Sequence, residues 1–520
     1  MGGLVARRYV LDNPADNHID KMVTVVAPWL GAVKVLNVLE SGDFIPWVAA
    51  GSDMKYIAPS LTAAAQLLAS RGYFELGGAP MLVEDGYDAD GDGRMFETYE
   101  YVDVMEFIDR RYVLPAPTLP GTTNLAFHSL VTPAGAQDDW RVDTTGIEYF
   151  HLYGVQAGNL TISQLVARNR IVCSPFQFFI CRISDVFDLR FTVGDATVPA
   201  RSAGRSTSFG NYNAPGARTF RFAVSDASQN ALADHTEITH NPAVLSKVLE
   251  LLAGAAVPPA ALTSPPGEGS SSVMTAGLSV TDDELQSTVP SYYLTLDGGS
   301  PLVVGDAQGN STAIMANDLR DTVPGVQTHV IGDGIEMVTL PIPVTAEYSI
   351  TFLSNANPIA LEVIKGVDNI TPTDAVRYLD KSLPDGVLVR IQITAAGIGP
   401  LRYDSDGNGS FDTLVPPTVT LSGPPALDTT APEVTASQHV QGATTQVTLT
   451  ATDSASGVGA VRYSLDGTQF QLYTGTLAVN PATSPFVYAF ADDNAGNRSG
   501  RIAFRVVTPT TVSIFQNSFE

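Results

Sequence analysis

Apolar and polar positions change their rhythm along this chain, and the changes mark out its elements. A helical pattern begins at Gly3-Leu4-Val5-Ala6-Arg7 and stops at Asn13-Pro14, because proline cannot continue a helix. Residues 21–27 (KMVTVVA) form a short, continuous, valine-rich run that predicts a strand buried on both faces. Pro28-Trp29-Leu30-Gly31 interrupts it, and residues 32–39 predict a second helix. Helix, buried strand, loop and helix make an α/β unit. Between about 40 and 145, aromatic and proline-bearing pieces such as Phe44-Ile45-Pro46-Trp47 and Tyr73-Phe74 lie among short helical patterns, which reads as a cap. Residues 149–153 return to strand character. A last helix has clear punctuation: Asn241 as cap, Pro242 in the first position, an apolar stripe from Val244 to Leu252, and Gly254 as stop.

Beyond it the pattern is all β. Residues 258–272 (PPAALTSPPGEGSSS) read as a linker. Residues 348–352, 447–452 and 486–490 then alternate with period two, and Asp-Gly turns recur at short intervals. The expected organisation is an α/β part over 1–256, a linker over 257–272, β-sandwiches over 273–415 and 418–510, and a tail over 511–520.

Composition narrows the function classes. A chain of 520 residues with 44% apolar content is expected to hold more than one core. Its formal charge of -25 repels phosphate backbones, which argues against nucleic-acid binding. No signal peptide is visible, and no apolar run is long enough to span a bilayer. Acidic, lysine-poor chains of this kind are often exported, so an extracellular or cell-surface location is expected. Cys173 and Cys181, the only cysteines, suit a short disulfide loop or two buried thiols; their spacing matches no zinc motif.

Three segments carry candidate chemistry. The start, MGGLVARRY, fits the second half of a G-x-S-x-G nucleophile elbow, with Met1 after the missing serine and Gly2 as the closing glycine; it also fits a plain apolar helix. Val193-Gly194-Asp195-Ala196-Thr197-Val198-Pro199 presents a carboxylate in a tight loop, suited either to orienting a histidine or to an ordinary turn. Of the seven histidines, only His235 and His240 follow Asp195 and precede the linker. His240 abuts Asn241-Pro242 and belongs with the helix cap, so His235 is the preferred base. Structural roles suit His18, His128 and His151.

Taken in order, MGGLVARRY, IDKMVTVVAPWLGAVKVL, GDATVPARSAG and DHTEITHNPAVLSKVLELL resemble the lecithin:cholesterol acyltransferase-like family, over residues 1 to about 255. The resemblance implies an incomplete α/β-hydrolase with a mostly parallel sheet, acting as a lipase or O-acyltransferase on lipid or other apolar esters. It makes Asp195 the triad acid, His235 the general base, and the Met1 N–H an oxyanion-hole donor, with the serine preceding Met1. The family shows Gly where this chain has Ala196. Trp29, Phe44 and Trp47 would then lie near the entry of an apolar cap. No catalytic cofactor is implied.

Two further features stand outside that resemblance. Asp88-x-Asp90-x-Asp92-Gly93 and Asp404-x-Asp406-x-Asn408-Gly409 share the alternate-oxygen spacing of calcium loops. Neither has Glu at the twelfth position; Glu97 and Asp412 are the available substitutes, and the second loop is the better candidate. The last 100 residues or so, through Asp453-Ser454-Ala455-Ser456-Gly457, Tyr463-Ser464-Leu465-Asp466-Gly467 and Asp493-Asn494-Ala495-Gly496-Asn497, resemble bacterial immunoglobulin-like modules, which act as spacers or binding arms. The competing reading of the whole chain is a non-catalytic, exported surface or adhesion protein built on a degenerate hydrolase scaffold.

Overall fold

A computed structural model describes residues 2–43, 51–77, 80–112, 119–174, 180–224, 226–253, 272–276, 289–313, 320–321, 323–332, 334–342, 347–367, 372–394, 396–422 and 428–508. It is a mixed α/β structure in which strands predominate. The 511–520 tail lies outside the described residues, as does the linker apart from its last residue.

The chain opens with a helix, Gly2–Asp12, and strand β1, Lys21–Val25. Short helices follow, interrupted by the hairpin β2 (Leu82–Asp85) and β3 (Phe96–Thr98). Next come β4 (Glu148–Val155), the long hairpin β5 (Thr161–Cys173) and β6 (Cys181–Thr192), and β7 (Arg218–Ala223). The helix Pro242–Ala253 and strand β8 (Ser272–Ala276) complete this part. Strands β1, β4 and β7 are parallel neighbours, and β8 adds antiparallel to β7. Strand β4 alternates: Tyr149 packs with Leu4 and Val10 of the first helix, whereas Phe150 and Leu152 pack with Val244 and Leu251 of the last. Helices therefore cover both faces of the parallel strands, as buried parallel pairing requires.

Two expectations change here. Strand β1 is half-buried, with only Met22 fully enclosed, because it is the end strand of its sheet and pairs with β4 alone. Residues 272–276, expected at the junction of linker and sandwich, pair with β7 instead, where the sheet offers an open antiparallel edge.

The first all-β unit contributes β9 (Ser291–Asp297), β10 (Gln327–Gly332), β11 (Ile335–Pro341), β12 (Ile359–Gly366), β13 (Pro372–Lys381) and β14 (Val419–Ser422). They run in the order β14-β13-β12-β9-β11-β10 and continue through a Gly332–Val186 pairing into β6-β5-β2-β3. One ten-stranded sheet thus crosses the expected domain boundary. The reason lies in β9, whose seven residues are all buried. Tyr292, Leu294 and Leu296 face a second sheet that carries Ile350, Phe352, Val389 and Ile391. Tyr293 faces the other way, into the core that holds Leu30 and Leu36 together with Leu82 and Val104 of the expected cap. The cap is therefore not separate: its hairpin extends the sheet, and its helices pack on it. Strand β14 pairs with Asp374–Arg377 of β13, so residues 419–422 belong to the first sandwich rather than to the second.

The C-terminal unit is a sandwich of a three-stranded and a four-stranded sheet around Val434, Val447, Leu449, Val487 and Ala489. It docks onto the rest. Arg498 reaches the Ile171 carbonyl of β5 at 2.6 Å and the Asp380 carboxylate of β13 at 3.0 Å. Cys173 and Cys181 are register partners at the tip of the β5–β6 hairpin and form a disulfide, packed against Phe470 and Phe490.

Below the parallel strands lies a buried polar-aromatic cluster. Trp140 is sandwiched between the guanidinium groups of Arg7, at 4.3 Å, and Arg205, at 4.1 Å. The two terminal nitrogens of buried Arg7 bond to Asp143, Tyr149 and the Ala136 carbonyl, and the Asp143 carboxylate balances its charge. His151 packs edge-on against Trp29 and Trp140. Burial, reinforced by the charges of Arg205 and Arg7, holds its imidazole well below its ordinary value of 6.5. The unfolded chain therefore binds a proton there that the native state refuses, so stability is complete above pH 6.5 and lost below it. The unfolding free energy measured in urea should fall on acidification below that point, by up to about 1.4 kcal/mol per pH unit from this group. His151→Gln should flatten that slope; an unchanged slope would remove His151 as its source.

Candidate active site

Asp195 sits in the loop that follows β6, not β4, yet the fold returns that loop to the carboxyl end of β4. Residue 156, directly after β4, donates its N–H to the Gly194 carbonyl at 2.9 Å. The loop closes on itself: the Asp195 Oδ1 accepts the Val198 N–H at 2.6 Å and the Thr197 N–H at 3.1 Å. Gly194 is obligatory here, since a Cβ would lie 2.4 Å from the Val198 carbonyl oxygen and 2.5 Å from Thr161 Oγ1.

His235 lies in the turn region after β7, the next parallel strand. Buried Asn230 staples its loop, accepting the Ala157 N–H at 2.7 Å and donating to the Ala157 carbonyl at 3.0 Å. At Gly154 of β4 a Cβ would stand 2.2 Å from the Ala233 carbonyl oxygen, so only glycine lets the loop approach the strand this closely.

The two loops meet through both backbone and side chain. The His235 N–H donates to the Asp195 carbonyl at 2.9 Å, and His235 Nδ1 lies 2.9 Å from Asp195 Oδ2. The Asp195 side chain is 1% exposed, whereas that of His235 is 27% exposed. A buried carboxylate with its other oxygen held by amides fixes the ring and selects the tautomer protonated at Nδ1. Among the described residues no hydrogen bond reaches His235 Nε2, which leaves that nitrogen to accept a proton.

The other sequence candidates fall apart from this pair. His240 is exposed and paired with Glu237 at 2.9 Å, while the Asn241 side chain caps the last helix through the Ala243 N–H at 2.9 Å. His128 is buried between Asp138 and the Gln66 carbonyl, and His18 is exposed beside Asp16. Trp29, expected near the cap entry, is instead fully buried against Trp140, where its large apolar ring fills the space under the first helix. Met1, Phe44 and Trp47 lie outside the described residues.

The two candidate metal loops differ. The carboxylates of Asp404, Asp406 and Asp412 do not converge on one point: Asp404 accepts the Gly407 and Gly409 N–H groups, Asp406 binds Asn408, and Asp412 binds Ser405. In the other loop Asp88 and Asp90 converge with Glu84, a β2 residue that the motif does not contain. Asp92 instead accepts the Arg94 N–H, and Glu97 pairs with Arg94. A second convergence, of Asp428, Asp453 and Asp493, lies in the C-terminal unit.

The chain matches no protein-family model, and no curated protein matches it. Among the described residues no helix is long and apolar enough to cross a membrane.

Ala196 explains how this loop accepts a departure from glycine. Its φ is 73°, in the left-handed region. That conformation costs an alanine roughly 1–2 kcal/mol. Against this, a glycine would lose a buried methyl worth about 0.8 kcal/mol and about 0.5–1 kcal/mol of backbone entropy. The terms nearly cancel. Ala196→Gly should therefore leave stability within about 1 kcal/mol of wild type in urea denaturation, whereas Ala196→Val, β-branched at positive φ, should lower it well beyond that. A stable Ala196→Val variant would contradict the strained loop.

Proposed function

We propose that residues 1–253 carry the acid and base of a Ser-Asp-His triad in an α/β-hydrolase-type lipid ester hydrolase or O-acyltransferase, of the lecithin:cholesterol acyltransferase-like kind. The nucleophilic serine is assigned to the position before Met1. One observation carries this reading: His235 is clamped to buried Asp195 at the carboxyl ends of neighbouring parallel strands, with Nε2 open. Carboxyl ends of parallel strands are where α/β enzymes gather their reacting groups. The order acid then base along the chain is also that of α/β hydrolases.

In this mechanism Nε2 of His235 takes the serine proton as the hydroxyl attacks an ester carbonyl, and Asp195 stabilises the imidazolium that results. The same proton passes to the departing alkoxide, leaving an acyl-enzyme. Water then releases the acid, or an alcohol accepts the acyl group. An extracellular or cell-surface location agrees with the Cys173–Cys181 disulfide, which persists in oxidising compartments.

The test is fatty-acid release from an apolar ester by the chain extended upstream through the residue before Met1. His235→Ala should lower kcat by about 10³-fold or more, and Asp195→Asn by about 10⁴-fold through the wrong tautomer. Wild-type turnover in His235→Ala would reject the assignment. An extended chain that turns over no ester, or an upstream frame without serine at that position, would favour the non-catalytic surface protein.

A further inference from the structure

The geometry points to a calcium site at the β2–β3 hairpin, in which Glu84 joins Asp88 and Asp90 as a ligand. One carboxylate oxygen from each of the three lies within 4.8 Å of the other two, close enough for a single ion to touch all of them. The second and independent observation is the state of Glu84. Its residue is 2% exposed, and its Oε1 is taken by the Ala89 N–H at 2.7 Å and the Tyr99 hydroxyl at 2.9 Å. Its Oε2 is buried and has no hydrogen-bond partner among the described residues. A carboxylate enclosed with one oxygen unsatisfied is costly unless something positive meets it. Among the described residues no guanidinium or ammonium does so: Arg110 pairs with Asp90 and Arg94 with Glu97 and Asp92, and no ion pair among them involves Glu84.

The loop around it has the form that a hard cation needs. Asp88, Asp90 and Asp92 alternate before Gly93, and Gly91 and Gly93 take φ of 80° and 93°. Asp88 Oδ1 accepts the Gly91 N–H at 2.6 Å and Oδ2 the Gly93 N–H at 2.8 Å, which fixes the carboxylate without neutralising it. With three carboxylates and one guanidinium, the group keeps a formal charge of about -2 when ionised. An all-oxygen, carboxylate donor set selects a hard cation over zinc or copper, and the alternating Asp loop closed by glycine is the form that suits calcium.

Binding there would join β2 to the loop that leads into β3, the end strand of the ten-stranded sheet. Met95, in the same hairpin, packs against the core of the C-terminal sandwich, so the ion would also stiffen that docking.

Calorimetric titration of calcium into the EDTA-treated full chain tests this, with terbium luminescence sensitised through Tyr99 as a second measurement. Saturable binding is expected in the micromolar to millimolar range. Glu84→Gln should weaken it about tenfold or more by removing one ligand charge. The half-exposed Asp88→Asn should do the same, which keeps the test open if Glu84→Gln does not fold. The double variant Asp404→Asn/Asp453→Asn should leave the binding unchanged. Absence of heat and of terbium emission in the wild-type chain up to about 10 mM ion would overturn the site. So would binding that survives both single substitutions, since the ion would then be held elsewhere.

Discussion

Everything at the candidate site depends on one double attachment. Residue 235 gives its backbone N–H to the Asp195 carbonyl and its ring to the Asp195 carboxylate. Either bond alone would leave a hinge, because a histidine ring can rotate about its own side-chain bonds. Together they fix both the loop and the imidazole plane, so the direction in which Nε2 points is set by backbone. The carboxylate is in turn held by the Val198 and Thr197 amides. The ring is thus held in one orientation by contacts that are already in place.

The second constraint is shared burial. Strand β9 is buried on both faces: Tyr292, Leu294 and Leu296 close one core and Tyr293 enters the other. The Tyr293 hydroxyl reaches the Asn159 carbonyl at 3.0 Å, in the connection between β4 and β5 that also holds Asn230. The all-β part and the loop that presents His235 are therefore mechanically continuous, through packed side chains and paired backbone. The C-terminal sandwich continues the chain of contacts by way of Arg498 and the disulfide tip of the β5–β6 hairpin.

How much of this was legible in the sequence follows from the range of each signal. Asp195, His235 and the Asn241 cap are local patterns, and each occupies the place its neighbours imply. The disulfide was open between two readings because eight residues of separation permit both; pairing of β5 with β6 puts the cysteines opposite one another. Domain limits were less legible. The YYLTL run at 292–296 has apolar residues on both faces, but a strand of that pattern suits any two-sided burial and names no partner. Likewise 419–422 and 272–276 are too short for periodicity to say which sheet they complete. Glu84 was invisible as a ligand because it stands outside the motif spacing, brought back only by the hairpin. The convergence of Asp428, Asp453 and Asp493 was hidden for the same reason, since three separate stretches of chain supply it.

Strand β4 explains why Asp195 and His235 meet although some forty residues separate them. Its residues alternate between two environments. Tyr153, on one face, packs with Val193, Val198 and Ala200, the apolar shoulders of the Asp195 loop. Phe150, Leu152 and Gly154 lie on the other, where Ile238 and the Ala233 carbonyl bring in the His235 loop. A single strand end thus carries one loop on each side, and the two can touch only past its tip. That geometry requires a bulky residue at 153 to seat the first loop and no side chain at 154 to admit the second. The Tyr-Gly pair is the smallest sequence that satisfies both, and it stands where period-two alternation leaves the chemistry no other choice.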